Sequence, residues 1–159
     1  VPEVSALWKE SQSVGAFSLG AGDARTIDVS SAKAFRLSFN LSSQDDSETV
    51  LQLANASGEK VSIKFGRDKV SIDRSESGLM TDHKHFADVV VAAPLSLCDG
   101  KDGYDVDIYV DVASIELFVD GGRVAMTDIV FPTQPYSQFS IECLSGESLM
   151  EGLRLYELK

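Results

Sequence analysis

The sequence has few residues that could cross-link it covalently or anchor it in a membrane. Its 159 residues include two cysteines, Cys98 and Cys143, which are too few for a disulfide framework. A single bridge and two reduced thiols in or near the core are both open. No apolar run approaches the ~20 residues that a membrane-spanning helix needs. No signal peptide is visible at the Val1 start, so we interpret the chain as a piece of a longer protein.

Basic residues are scarce relative to acidic ones. Lysine and arginine total 14 against 25 aspartates and glutamates, which gives a formal net charge of −11. Such a surface repels nucleic acid phosphates and anionic lipids, so we expect neither nucleic acid nor membrane as a partner. A neutral, hydroxyl-rich ligand is compatible with it, because carboxylates accept hydrogen bonds from hydroxyls. The simpler explanation of the charge is solubility.

Helical periodicity is also missing, since no segment shows a helical pattern over three turns. Alternation of apolar and polar residues is clearest in residues 105–132, DVDIYVDVASIELFVDGGRVAMTDIVFP. Residues 112–114 interrupt it, and Asp-Gly-Gly at 120–122 is typical of a hairpin turn. Residues 123–131 should return as a third strand, ended by Pro132. The pattern predicts an antiparallel meander with one apolar face.

Shorter alternating segments occupy most of the remaining chain, with turn residues about every ten positions. Because a one-sided sheet must bury its apolar face against another layer, this pattern predicts sheet packed on sheet. We therefore assign an all-β fold, a two-layer antiparallel β-sandwich of the jelly-roll or concanavalin-like kind, as one domain over residues 1–159. Residues 1–10 should lead into it. Outside the meander, the predicted strands centre on residues 17–19, 26–29, 35–41, 51–53, 61–65, 70–72, 86–93, 139–143 and 153–158.

Two motifs stand out along this pattern. The first is Asp-Arg-Ser-Glu-Ser-Gly at residues 73–78, and the second runs through residues 111–132 with the core pieces Ser-Ile-Glu-Leu-Phe-Val, Met-Thr and Phe-Pro. In this order, about 40 residues apart, they resemble the C-terminal β-sandwich domain of glycoside hydrolase family 32, the invertases, levanases, inulinases and fructanases. Residues 2–7 and 153–159 are similar to the two ends of that domain, so the resemblance covers nearly the whole chain.

The resemblance implies a catalytic partner outside this sequence. In that family a five-bladed β-propeller holds the catalytic carboxylates in Asn-Asp-Pro, Arg-Asp-Pro and Glu-Cys contexts, and the sandwich follows it. Neither tripeptide occurs here, and Glu142-Cys143 is flanked by Ile141 and Leu144 where the family has Trp and Pro. We therefore expect no catalytic residue, metal or cofactor in this chain, and a parent glycosidase of the β-fructofuranosidase type. Residues 1–10 would then lead from the propeller.

One set of charged residues is the candidate for specific binding. Asp73 and Arg74 of the first motif, with Asp111 and Glu116 of the second, could hold a terminal fructose. Carboxylates and an arginine suit such a ligand because they form bidentate hydrogen bonds to hydroxyls. The alternative is structural, with Arg74 paired to Glu116 or Asp111 across neighbouring strands so that the register is fixed.

Two further patterns have simpler structural explanations. Asp105, Asp107 and Asp111 could hold calcium, but a solvated, edge-protecting stripe accounts for them without a ligand. His83 and His85 could share a metal ion, but no third ligand is fixed elsewhere and a solvated loop accounts for them as well.

Together these observations predict a non-catalytic C-terminal module of a fructan- or sucrose-cleaving glycoside hydrolase, which braces the propeller of the same polypeptide. Trp8 would pack against that propeller rather than stack on a sugar. The alternative function is an autonomous module that binds the terminal fructose of levan or inulin, so a fructose-containing saccharide is the second expected partner. A fructan-degrading parent predicts a secreted or periplasmic location.

Overall fold

The computed structural model describes residues 6–30, 33–43, 47–79, 90–96, 98 and 103–158. In this part of the chain the backbone is mainly extended, and the paired strands are antiparallel. The strands are β1 Trp8–Val14, β2 Phe17–Gly20, β3 Ala24–Asp28, β4 Phe35–Ser43, β5 Glu48–Ala54, β6 Lys60–Phe65, β7 Lys69–Asp73, β8 Val90–Pro94, β9 Tyr104–Val110, β10 Ser114–Val119, β11 Val124–Ile129, β12 Gln138–Ser145 and β13 Glu147–Leu158.

These strands form two sheets. Sheet A has the order β1-β13-β4-β9-β10-β11, with β2 also paired to β13, and sheet B has the order β3-β12-β5-β6-β7-β8. Along most strands, buried residues alternate with more exposed ones, as the period of two requires. The buried faces of both sheets belong to one hydrophobic cluster. The predicted two-layer antiparallel β-sandwich is confirmed.

The core lies between the sheets and is built from aliphatic and aromatic side chains of both. Phe39 of β4 and Phe139 of β12 meet across it, with ring centroids 6.2 Å apart. Each side chain of this size contributes roughly 1.5–3 kcal/mol when it is fully buried. The largest such side chains are Phe35, Phe139, Leu37, Leu51, Leu53, Ile63, Ile72, Ile108, Ile115, Leu117, Ile141 and Leu153.

The predicted meander is present as β9, β10 and β11, which pair side by side. Its second turn is a short 3₁₀ segment, Asp120–Gly122, in which three successive φ angles are positive (50°, 69° and 97°). Glycine at 121 and 122 tolerates this backbone, and Asp120 holds it by accepting a 2.9 Å hydrogen bond at Oδ1 from the Asp105 N–H. The third strand ends at Ile129, before the predicted Phe131.

The first strand differs from the prediction. Residues 8–10, expected in a leading segment, begin β1 and pair with β13, from Trp8 opposite Leu158 to Val14 opposite Leu153. The sequence WKESQSV is largely exposed and lacks the apolar alternation that marks the other strands, because β1 is an edge strand. Its twelve-residue partner β13 also pairs with β2 and β4.

Several smaller predictions have a direct outcome. Cys98 and Cys143 are both free thiols, and Cys143 is buried. Among the described residues, no helix is long and apolar enough to cross a membrane. His83 and His85 lie outside the described residues, as does the first half of the strand predicted at 86–93, whose described part is β8.

Candidate functional site

The four residues predicted to bind sugar lie in three different surroundings. Asp73 ends β7 in sheet B, and Arg74 follows it and points into the protein with only 5% of its surface exposed. Asp111 follows β9 at the end of the sandwich. Glu116 lies on the outward-facing side of β10 in sheet A, opposite Tyr109 of β9. The structure therefore does not bring the four residues together in one site. Sugar binding by all four stays a prediction.

Arg74 forms a buried ion pair with a residue that the sequence did not single out. Its Nε lies 3.3 Å from Asp128 Oδ1, and its Nη1 donates a 2.9 Å hydrogen bond to the Ile129 carbonyl. The predicted partners were Glu116 and Asp111, and the structure replaces them with Asp128. The reason is the alternation of side chains along each strand. Glu116 lies on the outward-facing side of β10, whereas Asp128 lies on the inward-facing side of β11. The predicted structural role, an ion pair that fixes the register of neighbouring strands, was therefore wrong in its partner and in its strands, because Arg74 and Asp128 belong to different sheets.

The Asp128 carboxyl is in an unusual environment for an acidic group. Only 5% of its surface is exposed, and its Oδ2 accepts no hydrogen bond from the described part of the chain. Burial raises the pKa of Asp128 because a desolvated carboxylate is costly, and the Arg74 charge and the Ile129 N–H offset only part of that rise. The pair joins the end of β7 in sheet B to β11, the edge strand of sheet A.

The rest of the first motif packs on the segment after β11. A Cβ added to Gly78 would lie 2.2 Å from the Phe131 carbonyl oxygen, so only glycine fits there. The next residue, Leu79, donates its N–H to that oxygen at 2.9 Å. The buried Tyr136 hydroxyl donates a 2.6 Å hydrogen bond to the Ser77 carbonyl, and burial raises its pKa well above the ordinary value, so the donor stays protonated. We call Arg74, Gly78, Asp128 and Tyr136 the Arg74 corner.

Glu59 also contacts the segment after β11. Its Oε1 accepts hydrogen bonds from Asn55 Nδ2 (2.9 Å) and from the Thr133 N–H and Oγ1 (2.8 and 2.7 Å). The side-chain hydrogen bonds from Asn55 and Thr133 favour the ionised form of Glu59 and are the main reason why its pKa is lowered. Asn55 Nδ2 also donates to the Gln134 carbonyl at 2.9 Å. The two motifs are therefore parts of one internal brace between the sheets.

A cleft of about 350 Å³ opens beside this brace. Asp111 lines it, with its Oδ1 accepting a 2.7 Å hydrogen bond from the Val112 N–H, and the other three predicted site residues do not. Its polar side chains can bond hydroxyl groups, and its prolines and exposed Val112 offer apolar contact. The lining residues are Lys33, Val110, Asp111, Val112, Pro132, Thr133, Gln134, Pro135 and Tyr136.

The outer face of sheet A carries a row of aromatic and charged side chains. The strand register places one residue from each of six adjacent strands in line across the sheet. We call this set the sheet-A row: Thr127, Glu116, Tyr109, Arg36, Tyr156 and Glu10.

Arg36 is fixed at the middle of the sheet-A row. Its Nε and Nη2 donate hydrogen bonds of 3.0 and 2.7 Å to Asp107 Oδ1. Its guanidinium also lies over two rings, 5.3 Å from the Tyr109 centroid and 5.1 Å from that of Tyr156. Tyr109 in turn meets Trp8 and Phe118 edge-on, each at 5.7 Å between centroids. Trp8 thus packs on an aromatic residue of its own sheet.

The outer face of sheet B is different in kind. The register aligns a row of hydroxyl, amide and carboxylate side chains from five adjacent strands there. Within it, Gln52 Nε2 donates a 3.2 Å hydrogen bond to Ser62 Oγ. Asp73, another of the predicted site residues, lies at the end of this row. The sheet-B row is Thr26, Ser140, Gln52, Ser62 and Asp73.

Sequence reasoning missed Asp128, Tyr136 and the sheet-A row. Asp128 could have been found, because it falls in step with Val124 and Met126 on the apolar phase of its strand. The sheet-A row could not, since it depends on which strands are neighbours and in what register. In the described residues, no group of three or more His, Cys, Asp or Glu side chains could hold a metal ion.

Comparison with known proteins identifies the family of this chain. The sequence model of the family described as glycosyl hydrolases family 32 C terminal matches residues 3–156. A levanase of Bacillus subtilis (strain 168) is 32% identical over 106 residues, which are 64% of this chain and 15% of that protein. A fructan beta-fructosidase of Streptococcus mutans serotype c is 31% identical over 109 residues, 69% of this chain and 7% of that protein.

Solved structures agree on the fold. The exo-inulinase from Aspergillus awamori matches with a TM-score of 0.80 and 21% identity, over 98% of this chain and 31% of that one. The fructan 1-exohydrolase IIa from Cichorium intybus matches with a TM-score of 0.79 and 15% identity, over 100% of this chain and 37% of that one. This chain spans between 7% and 37% of the length of these proteins. Because the family match extends over nearly its whole length, the chain belongs to the glycosyl hydrolases family 32 C-terminal family.

Proposed function

We propose that this chain is the non-catalytic C-terminal module of a fructan- or sucrose-cleaving glycoside hydrolase, and that it braces the catalytic domain of the same polypeptide. The observation that carries the proposal is the family match over residues 3–156, in a chain that spans only 15% of the levanase that it resembles. Levanase, fructan beta-fructosidase and exo-inulinase among its relatives favour a fructose-containing substrate for the parent protein.

The placement of the acidic residues supports a module without catalysis. Glycoside hydrolysis uses two carboxyl groups that flank the scissile bond, roughly 5–9.5 Å apart. Glu142, of the Glu-Cys dipeptide, lies on β12 between Ala24 and Val50 of the neighbouring strands, neither of which is acidic. Asp128, the most deeply buried carboxyl among the described residues, is paired with Arg74. Neither of these two carboxyls therefore has a second carboxyl beside it in the described strands.

An activity assay tests the absence of catalysis. The purified chain should release no fructose from sucrose, levan or inulin, and the full-length parent protein serves as the positive control. Removal of residues 1–159 from the parent should lower its melting temperature, because the surface that the module covers becomes exposed. Turnover by the isolated chain, or a parent whose melting temperature is unchanged by the deletion, would contradict the proposal.

Fructose binding is the second candidate function, and the cleft beside Asp111 favours it. Its volume of about 350 Å³ falls in the ~300–1,000 Å³ range of small-molecule sites. Lys33 and Asp111 could bond sugar hydroxyls there. Calorimetric titration of the chain with fructose oligomers should give heat that Asp111→Ala abolishes and that Glu116→Ala, outside the cleft, leaves intact. No heat at millimolar ligand would remove this candidate.

A further inference from the structure

We infer that the outer face of sheet A is the surface on which the preceding catalytic domain docks, with the sheet-A row at its centre, and that the outer face of sheet B stays in water. This inference rests on the proposed bracing function and adds to it which side of the module makes the contact.

The first argument is composition. Outward positions of sheet A carry Tyr109, Phe118 and Tyr156, with Trp8 beside them. Ile129 and Leu158, also outward on this sheet, are 49% and 52% exposed. Val90 and Leu144 of sheet B are exposed to a similar extent, 54% and 43%, so in the described residues the two faces differ in their aromatic side chains and not in their aliphatic ones. The cores of protein interfaces are enriched in aromatic residues and arginine, whereas scattered serine, threonine and glutamine are typical of solvated faces. The sheet-B row is of the second kind.

The second argument is preorganisation. The Asp107 carboxylate and the Tyr109 and Tyr156 rings hold the Arg36 side chain in one position, and Phe118 and Trp8 hold Tyr109. Side chains that are already ordered lose little entropy when a partner covers them, so they contribute more of their contact energy to binding. An arginine held in this way also presents a planar surface for packing.

The third argument is the position of the tether. The chain reaches the sandwich through β1, which is an edge strand of sheet A, and Leu7 immediately before it is 57% exposed. The matched family is a C-terminal one, so the remaining length of the relatives favours a domain that precedes β1. A domain tethered at this edge reaches the outer face of sheet A without crossing the sandwich.

The same face indicates the chemistry of the docking surface. The carboxylate of Glu116 lies next to Tyr109 in the sheet-A row and forms no ion pair with another described residue. A partner surface that covered Glu116 without offering it a hydrogen-bond donor would bury an unpaired carboxylate, which is unfavourable. The opposing surface should therefore be apolar over Tyr109 and Phe118, with a cationic or hydroxyl donor opposite Glu116.

Thiol accessibility in the full-length parent protein tests the inference. Two variants each place one cysteine on an outer face, Glu116→Cys in sheet A and Ser62→Cys in sheet B, with Cys98→Ser in both backgrounds. Each is treated with a maleimide, and the modification rate at that site is read by peptide mass spectrometry. We expect the cysteine at 116 to react about tenfold or more slowly than the one at 62. Denaturation should make the two rates equal.

The possible outcomes separate this inference from the proposed function. Slow reaction at position 62 with fast reaction at 116 would overturn the face assignment and keep bracing. Fast reaction at both positions would overturn bracing as well. A second variant, Phe118→Lys, should lower the melting temperature of the full-length protein more than Ser62→Lys does. An equal effect of the two lysines would count against a contact on sheet A.

Discussion

The Arg74 corner and the outer face of sheet A place their residues in opposite ways. The corner buries a charged pair, with Arg74 and Asp128 each 5% exposed, whereas the face leaves aromatic side chains partly in water. In the corner the polar groups bond to one another and join the two sheets. On the face the apolar groups remain available to another surface. Polarity alone therefore does not reveal which region holds the module together and which one is left exposed.

The largest effect should come from breaking the corner. Arg74→Ala leaves Asp128 buried and unpaired, which should lower the free energy of unfolding by about 3–5 kcal/mol. Arg36→Ala is the matched control on the face, where the side chain of the arginine is 20% exposed and its loss should cost about 1 kcal/mol. Urea denaturation of the chain measures both. Equal losses for the two arginines would erase the distinction between the regions.

A second change tests the backbone contact of the corner. Gly78→Ala puts a Cβ 2.2 Å from the Phe131 carbonyl oxygen, so the two motifs must separate, at an expected cost of about 3 kcal/mol. Gly121→Ala also has a positive φ but meets no atom within 4 Å, and should cost about 1–2 kcal/mol. Thermal denaturation compares them. If Gly121→Ala proves the more damaging, steric contact at Gly78 is not what matters.

A smaller effect is expected on the face. Phe118→Ser removes an edge-on contact with Tyr109 and should destabilise the isolated chain by only about 0.5–1.5 kcal/mol. In the full-length protein the same change should cost more, because docking is lost as well. Ser62→Ala on sheet B should stay within about 0.5 kcal/mol in both settings. An identical cost of Phe118→Ser with and without the catalytic domain would argue against docking there.

The smallest and most diagnostic effect concerns pH. Because its folded-state pKa is raised, Asp128 contributes most to stability below its ordinary value of 3.8 and loses that contribution as pH rises through the folded-state pKa. Glu59 behaves oppositely, since its pKa is lowered, and its contribution is present above 4.5 and lost as pH falls. Acid titrations of stability should therefore show that Asp128→Asn and Glu59→Gln change the slope in opposite directions. Slopes of the same sign would contradict these environments.

The sequence was sufficient to predict the strands because one-sided burial imposes a period of two. Residues 35–41, 61–65, 105–110 and 115–119 carry that period, and each segment lies in a strand of the structure. The edge strand β1 was missed for the complementary reason. Its sequence WKESQSV buries little, so no alternation is imposed on it.

The candidate site was harder to predict because it depends on pairing between strands distant in sequence. Arg74 was expected to form an ion pair, but its partner Asp128 was not foreseen and lies on a strand of the other sheet. Nothing local in the sequence says that β7 ends opposite β11. The alignment of Glu116, Tyr109 and Arg36 likewise requires the order β10-β9-β4. Which side chains of one strand face inward can be read from the local sequence, whereas which strands lie next to each other is decided only in the completed sheet.

The long strand β13 has a consequence for how the molecule is made. It pairs with β1, and the Ser11 hydroxyl donates to the Leu155 carbonyl across a separation of 144 residues. During synthesis β1 therefore cannot pair with β13 until nearly the whole chain has been translated. Until then β4 also lacks β13 as one of its neighbours. Such distant pairing makes folding slow and leaves unpaired edges exposed to other nascent chains. A premature stop codon before residue 147 would remove β13, the strand with which β1, β2 and β4 all pair.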